Sequence, residues 1–377
     1  MTRFPEGIVR IPPSKSVLHR AIICAALAGG WIGVNSASDD VDATARCVSA
    51  LMSGDNVTLD CGESGSTLRF LIPVALALGK SATFTGRGRL LERPMEPFFG
   101  ALRAHGAEIA QTADAIEVSG ELSAGIYELP GDVSSQFVTG LLFALPLLRG
   151  DSEIRLTTAL ESAGYVELTL DELGKSGVEA RRTGGGFEVP GGQRYLPREM
   201  DAEGDWSQAA FFLAARALGR DVEVAGLDYE SKQGDREIAE ILRRATADGG
   251  RIRAIDVDAS GIPDIVPPVT ALLCFADGVS RIYNAGRLRH KESDRLAALA
   301  EELGKLGAEI AVEGDALVIR GVTEICGGTM SARGDHRIAM AGAVAAIRAR
   351  GAVTIEGAEC VSKSYPDFWK DFEVSGK

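Results

Sequence analysis

The sequence is poor in the residues that form metal and redox sites. It contains four histidines and six cysteines in 377 residues, and no two cysteines have CxxC spacing. Closely spaced Cys or His residues mark zinc sites and redox pairs. We therefore expect reduced, half-buried cysteines, no metal and no cofactor. The histidines also lack metal-ligand spacing, and His105 is predicted to lie on a helix surface.

Positive charge is scarce as well. The chain has 40 Lys and Arg against 53 Asp and Glu, a formal net charge of −13. A nucleic-acid-binding protein generally needs a basic field, so nucleic acid is not an expected partner. The GxxxxGK[ST] pattern of a phosphate-binding loop is absent, which gives no support for nucleotide hydrolysis.

Long hydrophobic runs are also missing. The most apolar stretches, 68–78 and 137–148, are too short to cross a bilayer. The N-terminal residues contain no apolar segment of the kind that signal peptides carry. The sequence thus predicts a cytoplasmic protein without a membrane partner, and we expect a monomer.

What the chain does contain is a repeated pattern. A helix ends at glycine and a pair of short strands follows, in residues 92–120, 165–192, 236–261 and 294–321. A shortened copy covers 42–62, and a sixth is predicted from 335–356 together with the N-terminal strand 8–11. Repeats of this length indicate a repeated supersecondary unit, here six units in two α/β domains of three. A generic α/β protein with glycine-capped helices remains the alternative.

The clearest copy illustrates the pattern. Pro94 suits the first turn of a helix, and an apolar stripe follows on Met95, Phe98, Phe99 and Leu102. Gly106 is placed to end this helix in a left-handed conformation, as are Gly177, Gly249 and Gly307 in the other copies. Residues 107–110 and 115–118 are predicted to form the strands.

Four helices begin with small polar and cationic residues, in 12–29, 61–79, 131–148 and 334–347. A helix N-terminus offers unpaired N–H groups and a partial positive charge, which suit phosphate or carboxylate. Ser14 is predicted to cap the first helix, and Ser64 to Thr67 to precede the second. Ordinary N-caps would explain the hydroxyls. They do not explain Lys15, Arg20, Arg69 and Arg337, which oppose the helix dipole unless an anion binds.

A further charged cluster covers residues 284–303. Arg287, Arg289, Lys291 and Arg295 alternate with Glu292 and Asp294. A helix is predicted to start near Ser293, with that side chain as its cap. The cluster is either a solvated helix start or an anion clamp that holds a carboxylate among cations. Asp264 and Lys363 are additional candidates outside it.

Taken in order, ten motifs resemble the enolpyruvyl transferase family over nearly the whole chain, and within it the branch that uses shikimate 3-phosphate. They are PPSKSVLHR, GESGSTLR, LLERPM, GDVSSQF, Ser162–Tyr165, EGDWSQAAFFLAA, Ile262–Asp264, RHKESDR, GDHRIAM and SKSYPDF. The resemblance implies a two-domain inverse α/β fold of six βαβαββ-type repeats. It places one domain at 14–201 and the other at 1–13 with 202–377, with crossings near Pro13 and near 200–203.

The resemblance also implies a reaction and a set of site residues. The enolpyruvyl group of phosphoenolpyruvate would move to the 5-hydroxyl of shikimate 3-phosphate, with Asp264 as base, Glu292 as acid, and Lys15 and Lys363 as further catalytic residues. Shikimate 3-phosphate would contact Lys15, Ser16, Arg20, Ser134, Ser135, Gln136, Ser162, Asp264 and Lys291. Phosphoenolpyruvate would contact Lys15, Gly65, Arg93, Gln136, Arg295, Arg337 and Lys363.

This chemistry suits the side chains. The reaction needs one proton donor, one acceptor and several cations for two acidic substrates, which a protein can supply without a metal. The chain departs from the family pattern at Glu63, Ala163–Gly164 and Arg287. Two alternatives are a transferase that acts on UDP-N-acetylglucosamine, which usually has Cys where this chain has Gly88, and a non-catalytic anion-binding protein.

Overall fold

The chain divides into two compact units. The computed structural model describes residues 7–30, 38–199, 202–246 and 250–372. Lys15–Ala202 forms the first unit, and Met1–Ser14 with Glu203–Lys377 forms the second. The domain boundaries drawn from the sequence stay predictions, and of the crossing expected at 200–203, residues 200 and 201 lie outside the described residues.

Helices and short strands alternate along the described ranges. The helices are α1 Lys15–Leu27, α2 Asp39–Ser53, α3 Gly65–Ala77, α4 Glu96–Arg103, α5 Ser135–Ala144, α6 Ala163–Lys175, α7 Trp206–Ala217, α8 Ile238–Ala245, α9 Val266–Leu273, α10 Arg295–Lys305, α11 His336–Ala345 and α12 Phe368–Phe372. The strands are β1 Gly7–Arg10, β2 Val57–Asp60, β3 Ala82–Thr85, β4 Ala107–Gln111, β5 Ala115–Gly120, β6 Ile126–Leu129, β7 Ser152–Leu156, β8 Arg181–Arg182, β9 Gly186–Val189, β10 Val222–Ala225, β11 Asp256–Asp258, β12 Val279–Tyr283, β13 Glu309–Glu313, β14 Ala316–Arg320, β15 Gly328–Ser331 and β16 Val353–Glu356.

Three sheets have the same connectivity. Their strand orders are β2-β3-β5-β4 and β6-β7-β9-β8 in the first unit and β11-β12-β14-β13 in the second. In each, two parallel strands are joined through a helix, and a second helix leads to an antiparallel hairpin. This is the βαβαββ unit that the family resemblance implied, and its last helix and hairpin correspond to the repeated pattern.

The predicted sixth repeat is wrong in its strand pairing. Strand β1 lies parallel to β10, with Ile8 opposite Glu223, and not beside the C-terminal strand. That strand, β16, pairs instead with β15, which the sequence analysis did not identify. An isolated antiparallel bridge between Pro13 and Gly204 further connects the segment after β1 to the segment before α7.

The helix ends agree with the glycine pattern, but the start of α4 does not. Gly106, Gly177 and Gly307 have φ of +101°, +73° and +103°, in the left-handed region that glycine tolerates, whereas Gly249 lies outside the described residues. Helix α4 begins at Glu96, so Pro97 occupies its first turn and Pro94 precedes the helix. His105 lies beyond the end of α4, where its ring stacks on Tyr127 at 3.8 Å between centroids.

Apolar helices anchor the polar helix starts. In the first unit α3 and α5 cross so closely that a Cβ on Gly140 would lie 2.4 Å from the carbonyl oxygen of Arg69, so glycine is required there. Phe98 and Phe137 stack beside this crossing at 4.7 Å. Because the apolar bodies of these helices are buried, their N-termini are held in place.

The structure can be compared with the predictions on the cysteines and on membrane-spanning segments. All six cysteines are free thiols, but Cys24, Cys47, Cys61 and Cys274 are fully buried and not half-buried. Burial in an apolar core is common for cysteine. Among the described helices, none is both long and apolar enough to cross a membrane.

Candidate functional site

The first group of site residues surrounds the start of α3. Ser64 is the N-cap, and its Oγ accepts a hydrogen bond from the Thr67 N–H at 3.2 Å. Gly65, Ser66 and Thr67 therefore form the first helical turn and do not precede the helix as predicted. The cap occupies the Thr67 N–H, and Gly65 and Ser66 begin the helix at the positive end of its dipole, where an anion is favoured.

Two guanidinium groups and an amide converge on Gly65. A Cβ at this position would lie 2.9 Å from Arg69 Nη1, 3.0 Å from Arg93 Nη1 and 3.4 Å from Gln136 Oε1. Arg69 Nη1 donates to Gln136 Oε1 at 2.7 Å, and Gln136 Nε2 donates to Ser66 Oγ at 3.0 Å. The cluster combines helix N–H groups with planar cations, a combination suited to phosphate or carboxylate.

The start of α5 supplies the next residues. Ser134 is the N-cap, and its Oγ accepts from the Gln136 N–H at 3.3 Å. Ser134 and Ser135 are both buried, at 9% and 4% exposure. Gln136 thus connects this helix start to the α3 cluster through the hydrogen bonds of its amide.

Lys15 is the first residue of α1 and pairs with Asp40. Its Nζ lies 3.0 Å from Asp40 Oδ2, an acidic residue in the first turn of α2. The predicted cap Ser14 is wrong: within the described part of the chain its buried Oγ makes no hydrogen bond, while its backbone N–H donates to Glu203 O. Asp40 was missed because its sequence context, an acidic first turn, is typical of any helix.

Arg20 joins α1 to α6 from a buried position. Its guanidinium donates to Thr169 Oγ1 at 2.9 Å, to the Tyr165 carbonyl at 2.7 Å and to the Ser16 carbonyl at 2.5 Å. Burial, only partly offset by Tyr165, Glu172 and Cys24, lowers the pKa of Arg20 to about 10. Three of the five N–H groups of this side chain therefore serve the protein itself.

Ser162 precedes α6 with an unusual backbone. Its φ of +52° and ψ of +41° are left-handed, although serine carries a Cβ, and the residue is only 2% exposed. Such conformations cost free energy and are retained where surrounding structure imposes them, often at functional sites. Ala163–Gly164, one of the departures from the family pattern, form the first turn of the helix that follows.

A second group of site residues lies in the second unit around Asp264. Lys291 Nζ, Arg295 Nη1 and Arg337 Nη2 lie 3.2, 3.0 and 3.4 Å from its carboxylate oxygens. Burial alone would raise the pKa of Asp264. The charges of Arg337, Lys291 and Arg295 outweigh it and hold the pKa well below its ordinary value. Burial lowers the pKa of Lys291 despite the neighbouring carboxylate.

Arg295 is the centre of this group. Its Nη2 lies 2.6 Å from Glu292 Oε2, and its Nε lies 2.8 Å from Asp335 Oδ2. Burial by itself would lower the pKa of Arg295, but Asp335, Glu292 and Asp264 together raise it. Lys291, Glu292 and Arg295 of the 284–303 cluster thus meet Asp264 and Asp335 from other segments, whereas Asp294 pairs with Arg289; anion binding at this cluster stays a prediction.

The start of α10 differs from the prediction by one residue. Asp294, not Ser293, is the N-cap, with its Oδ1 accepting from the Ala297 N–H at 3.1 Å. Ser293 is unavailable for capping because its hydroxyl donates to Asp335 Oδ2 at 3.0 Å.

The remaining candidates are Arg337 in α11 and Lys363 in the helical turn before α12. Arg337 donates to the Asp264 carbonyl at 2.9 Å and to Ser207 Oγ at 3.0 Å. Lys363 Nζ donates to the carbonyl of Gly334 at 3.0 Å. Ser207, in the first turn of α7, was missed because a serine after an N-cap aspartate has no distinctive signal in sequence.

A buried hydrogen-bond chain behind the first group was also missed. His19 Nδ1 lies 2.6 Å from Thr44 Oγ1, which lies 2.6 Å from Thr67 Oγ1. Thr67 Oγ1 in turn donates to Ser64 Oγ at 2.7 Å. The chain ties α1 and α2 to the cap of α3, and its members are too far apart in sequence to reveal one another.

Two further observations concern Glu63, where the chain departs from the family pattern, and the possibility of a metal site. Glu63 lies against Gly88, where a Cβ would come within 3.1 Å of Glu63 Oε2. Across the described ranges, no group of three or more His, Cys, Asp and Glu residues is arranged to hold a metal ion.

Comparison with known proteins identifies the family. The model of the EPSP synthase (3-phosphoshikimate 1-carboxyvinyltransferase) family matches residues 5–372. A 3-phosphoshikimate 1-carboxyvinyltransferase of Clostridium kluyveri is 42% identical over 98% of this chain and 95% of its own length. One from Clostridioides difficile is 39% identical, with the same coverage.

Solved structures agree at the level of the fold. The EPSP synthase of Acinetobacter baumannii aligns with a TM-score of 0.78 at 24% identity, over 98% of this chain and 96% of that one. The enolpyruvyl transferase NikO of Streptomyces tendae aligns with a TM-score of 0.75 at 17% identity, over 98% and 94%. The expected enolpyruvyl transferase fold is confirmed, and the chain belongs to the EPSP synthase family of transferases.

Proposed function

We propose that this chain transfers the enolpyruvyl group of phosphoenolpyruvate to the 5-hydroxyl of shikimate 3-phosphate and releases phosphate. Such a reaction belongs to the shikimate pathway towards chorismate and the aromatic amino acids. The observation that carries the proposal is the family match over residues 5–372 together with the cations gathered at helix starts in both units. Two acidic substrates need such a concentration of positive donors.

The residues divide between the two substrates as the family pattern suggests. Shikimate 3-phosphate would be held by Lys15, Ser16, Arg20, Ser134, Ser135, Gln136, Ser162, Asp264 and Lys291. Phosphoenolpyruvate would be held by Lys15, Gly65, Arg93, Gln136, Arg295, Arg337 and Lys363. The arrangement around Gly65 supports the second assignment, because two guanidiniums converge there at the start of a helix, where an anion is favoured.

Asp264 acts as the base in this mechanism. In the free protein three cations keep its pKa low, which makes it a weak proton acceptor. Anionic substrates bound to Lys291, Arg295 and Arg337 would offset those charges. The pKa of Asp264 would then rise towards the range in which a carboxylate takes a proton from a hydroxyl group that is becoming more acidic.

Glu292 acts as the acid that protonates the methylene carbon of phosphoenolpyruvate. It lies beside Arg295, and its side chain is about one fifth exposed, at 20%. Protonation turns the enol carbon into a cationic centre, and the 5-hydroxyl oxygen adds to it. The tetrahedral adduct then returns one proton from its new methyl group to Glu292 and expels phosphate, which restores the carbon–carbon double bond. The proton that Asp264 took from the 5-hydroxyl leaves with the phosphate.

The alternatives are less well supported. The curated relatives are named for transfer to 3-phosphoshikimate, and Gly88 stands where the UDP-N-acetylglucosamine transferases usually have cysteine. A non-catalytic anion-binding protein would not need Asp264, Glu292 and Lys363 together. Monomeric state and cytoplasmic location stay predictions.

The test is phosphate release from phosphoenolpyruvate by the purified protein. We expect release that depends on shikimate 3-phosphate, and none with UDP-N-acetylglucosamine in its place. A folded protein that releases no phosphate with shikimate 3-phosphate would refute the proposal.

A further inference from the structure

We propose that Asp335 is a positioning residue that holds the Arg295 guanidinium in place while the other carboxylate partners of that arginine change. This inference rests on the proposed function, in which Arg295 binds phosphoenolpyruvate. It adds a role for a residue that the family pattern did not assign to either substrate.

The three carboxylates around Arg295 are not equivalent. The Asp335 side chain is 0% exposed and the Arg295 side chain 1%, so this pair is sealed from solvent. The side chains of Asp264 and Glu292 are each 20% exposed. An incoming anion can therefore reach the contacts that Arg295 makes with Asp264 and Glu292, but not its contact with Asp335.

The contact with Asp335 uses the inner side of the guanidinium. Nε lies 2.8 Å from Asp335 Oδ2, and Nη2 lies 3.3 Å from Oδ1, a two-point contact that fixes the plane of the group. Nη1 lies against Asp264 and Nη2 also against Glu292. The outer contacts are thus made by N–H groups other than those that face Asp335, so a ligand can replace Asp264 or Glu292 there without displacing Asp335.

Asp335 is itself held at both oxygens. Oδ2 accepts from Ser293 Oγ at 3.0 Å, and Oδ1 accepts from the Arg337 N–H at 3.0 Å, where Asp335 caps α11. The carboxylate is therefore bound to the segment before α10 and to the first turn of α11. A group anchored in this way cannot rotate away when the charge balance around Arg295 changes.

An exchange of partners follows from this asymmetry. When the phosphate or carboxylate of phosphoenolpyruvate takes the N–H of Nη2 that faces Glu292, Glu292 loses its ion pair with Arg295, whereas Asp335 keeps its own. Losing a neighbouring cation favours the protonated form of a carboxyl group. Binding of phosphoenolpyruvate would thereby prepare Glu292 to donate a proton. This requires that Asp335 hold the Arg295 guanidinium in place, so that the guanidinium does not move with Glu292.

The experiment is Asp335→Asn, with Asp294→Asn as the matched control. Asparagine still accepts from the Arg337 N–H as an N-cap but loses the charge that faces Arg295. We expect the KM for phosphoenolpyruvate to rise about tenfold to hundredfold, the scale of one charged hydrogen bond. The KM for shikimate 3-phosphate should change by less than about threefold. The fold-change in kcat should be smaller than the fold-change in the KM for phosphoenolpyruvate.

Asp294 undergoes the same chemical change one residue before Arg295, where it caps α10 and contacts Arg289. Both KM values of that control should stay within about twofold of the wild type, since N-cap asparagine is nearly as good as aspartate. Thermal unfolding curves of both variants show whether the fold is retained.

The outcomes separate the two proposals. If the wild type releases no phosphate, the proposed function fails. If the wild type is active and a folded Asp335→Asn variant keeps its KM for phosphoenolpyruvate, or raises both KM values equally, only the positioning role is wrong. If Asp335→Asn does not fold, Ser293→Ala tests the proposal instead, because it removes one hydrogen bond to Asp335. A rise of about two- to tenfold in the KM for phosphoenolpyruvate supports the positioning role of Asp335. No rise overturns it.

Discussion

The space at Gly65 allows a quantitative prediction for Gly65→Ala. The new Cβ would lie 2.9 Å from Arg69 Nη1 and 3.0 Å from Arg93 Nη1, well inside ordinary contact of about 3.5–4.0 Å. The neighbours are ends of flexible side chains, so they can move. The backbone can also accept alanine, because Gly65 is helical and does not have positive φ.

The magnitude follows from the displacement needed. To restore ordinary contact, each guanidinium must shift by about 0.5–1 Å. A misplacement of about 1 Å can cost about a hundredfold in a positioned site. We therefore expect the KM for phosphoenolpyruvate to rise about tenfold to hundredfold, or about 1.4–2.7 kcal/mol. Stability should change little, since alanine gains up to about 1 kcal/mol of helix propensity against the strain.

The assay is steady-state phosphate release, with each substrate varied in turn. Gly174→Ala is the matched control: it makes the same substitution within α6, where a Cβ would meet nothing within 4 Å. The control should keep both KM values and gain about 0.5–1 kcal/mol in unfolding free energy. The reasoning is refuted if Gly65→Ala is folded and binds phosphoenolpyruvate as the wild type does.

Two further predictions concern turnover and pH. Glu292→Gln should lower kcat by about 10²–10⁴-fold and leave both KM values within about threefold. The control Glu309→Gln, on the exposed strand β13, should change neither kcat nor the KM values. A Glu292→Gln variant with full kcat contradicts the acid role. Burial, aided by Lys15 and Arg20, lowers the pKa of His19 well below 6.5. Just below pH 6.5 the His19 imidazole is protonated in the unfolded state but not in the folded state. The contribution of neutral His19 to the free energy of unfolding is therefore fully present above pH 6.5 and is lost as the pH falls, by up to about 1.4 kcal/mol per pH unit. Denaturation of His19→Gln at pH 7 and pH 5 should lack this component, and an unchanged slope would show that His19 does not cause it.

Local features of the fold were predictable because they depend on near neighbours in the chain. Gly106, Gly177 and Gly307 were identified as helix ends, and all have positive φ. Glycine has this property by itself, since it lacks the Cβ that makes the left-handed region costly. The polar residues at the starts of α3, α5 and α11 include the N-caps Ser64, Ser134 and Asp335, whereas the caps predicted at Ser14 and Ser293 were wrong.

Strand partners and distant contacts could not be predicted in the same way. The sequence placed β1 with the C-terminal strand, but β1 pairs with β10, which is more than two hundred residues away. A four-residue strand carries too little hydrophobic pattern to specify which edge it joins.

The sequence by itself determined the repeated unit, the helix ends and the kinds of side chain available for binding anions, because each follows from residues a few positions apart. Only the tertiary structure decided which charges meet. Asp40 and Asp335 appear in sequence as ordinary helix-start acids, yet one pairs with Lys15 and the other with Arg295. Their partners lie 25 and 40 positions away, and the free energy of an ion pair depends on distance and burial, which only the folded chain defines.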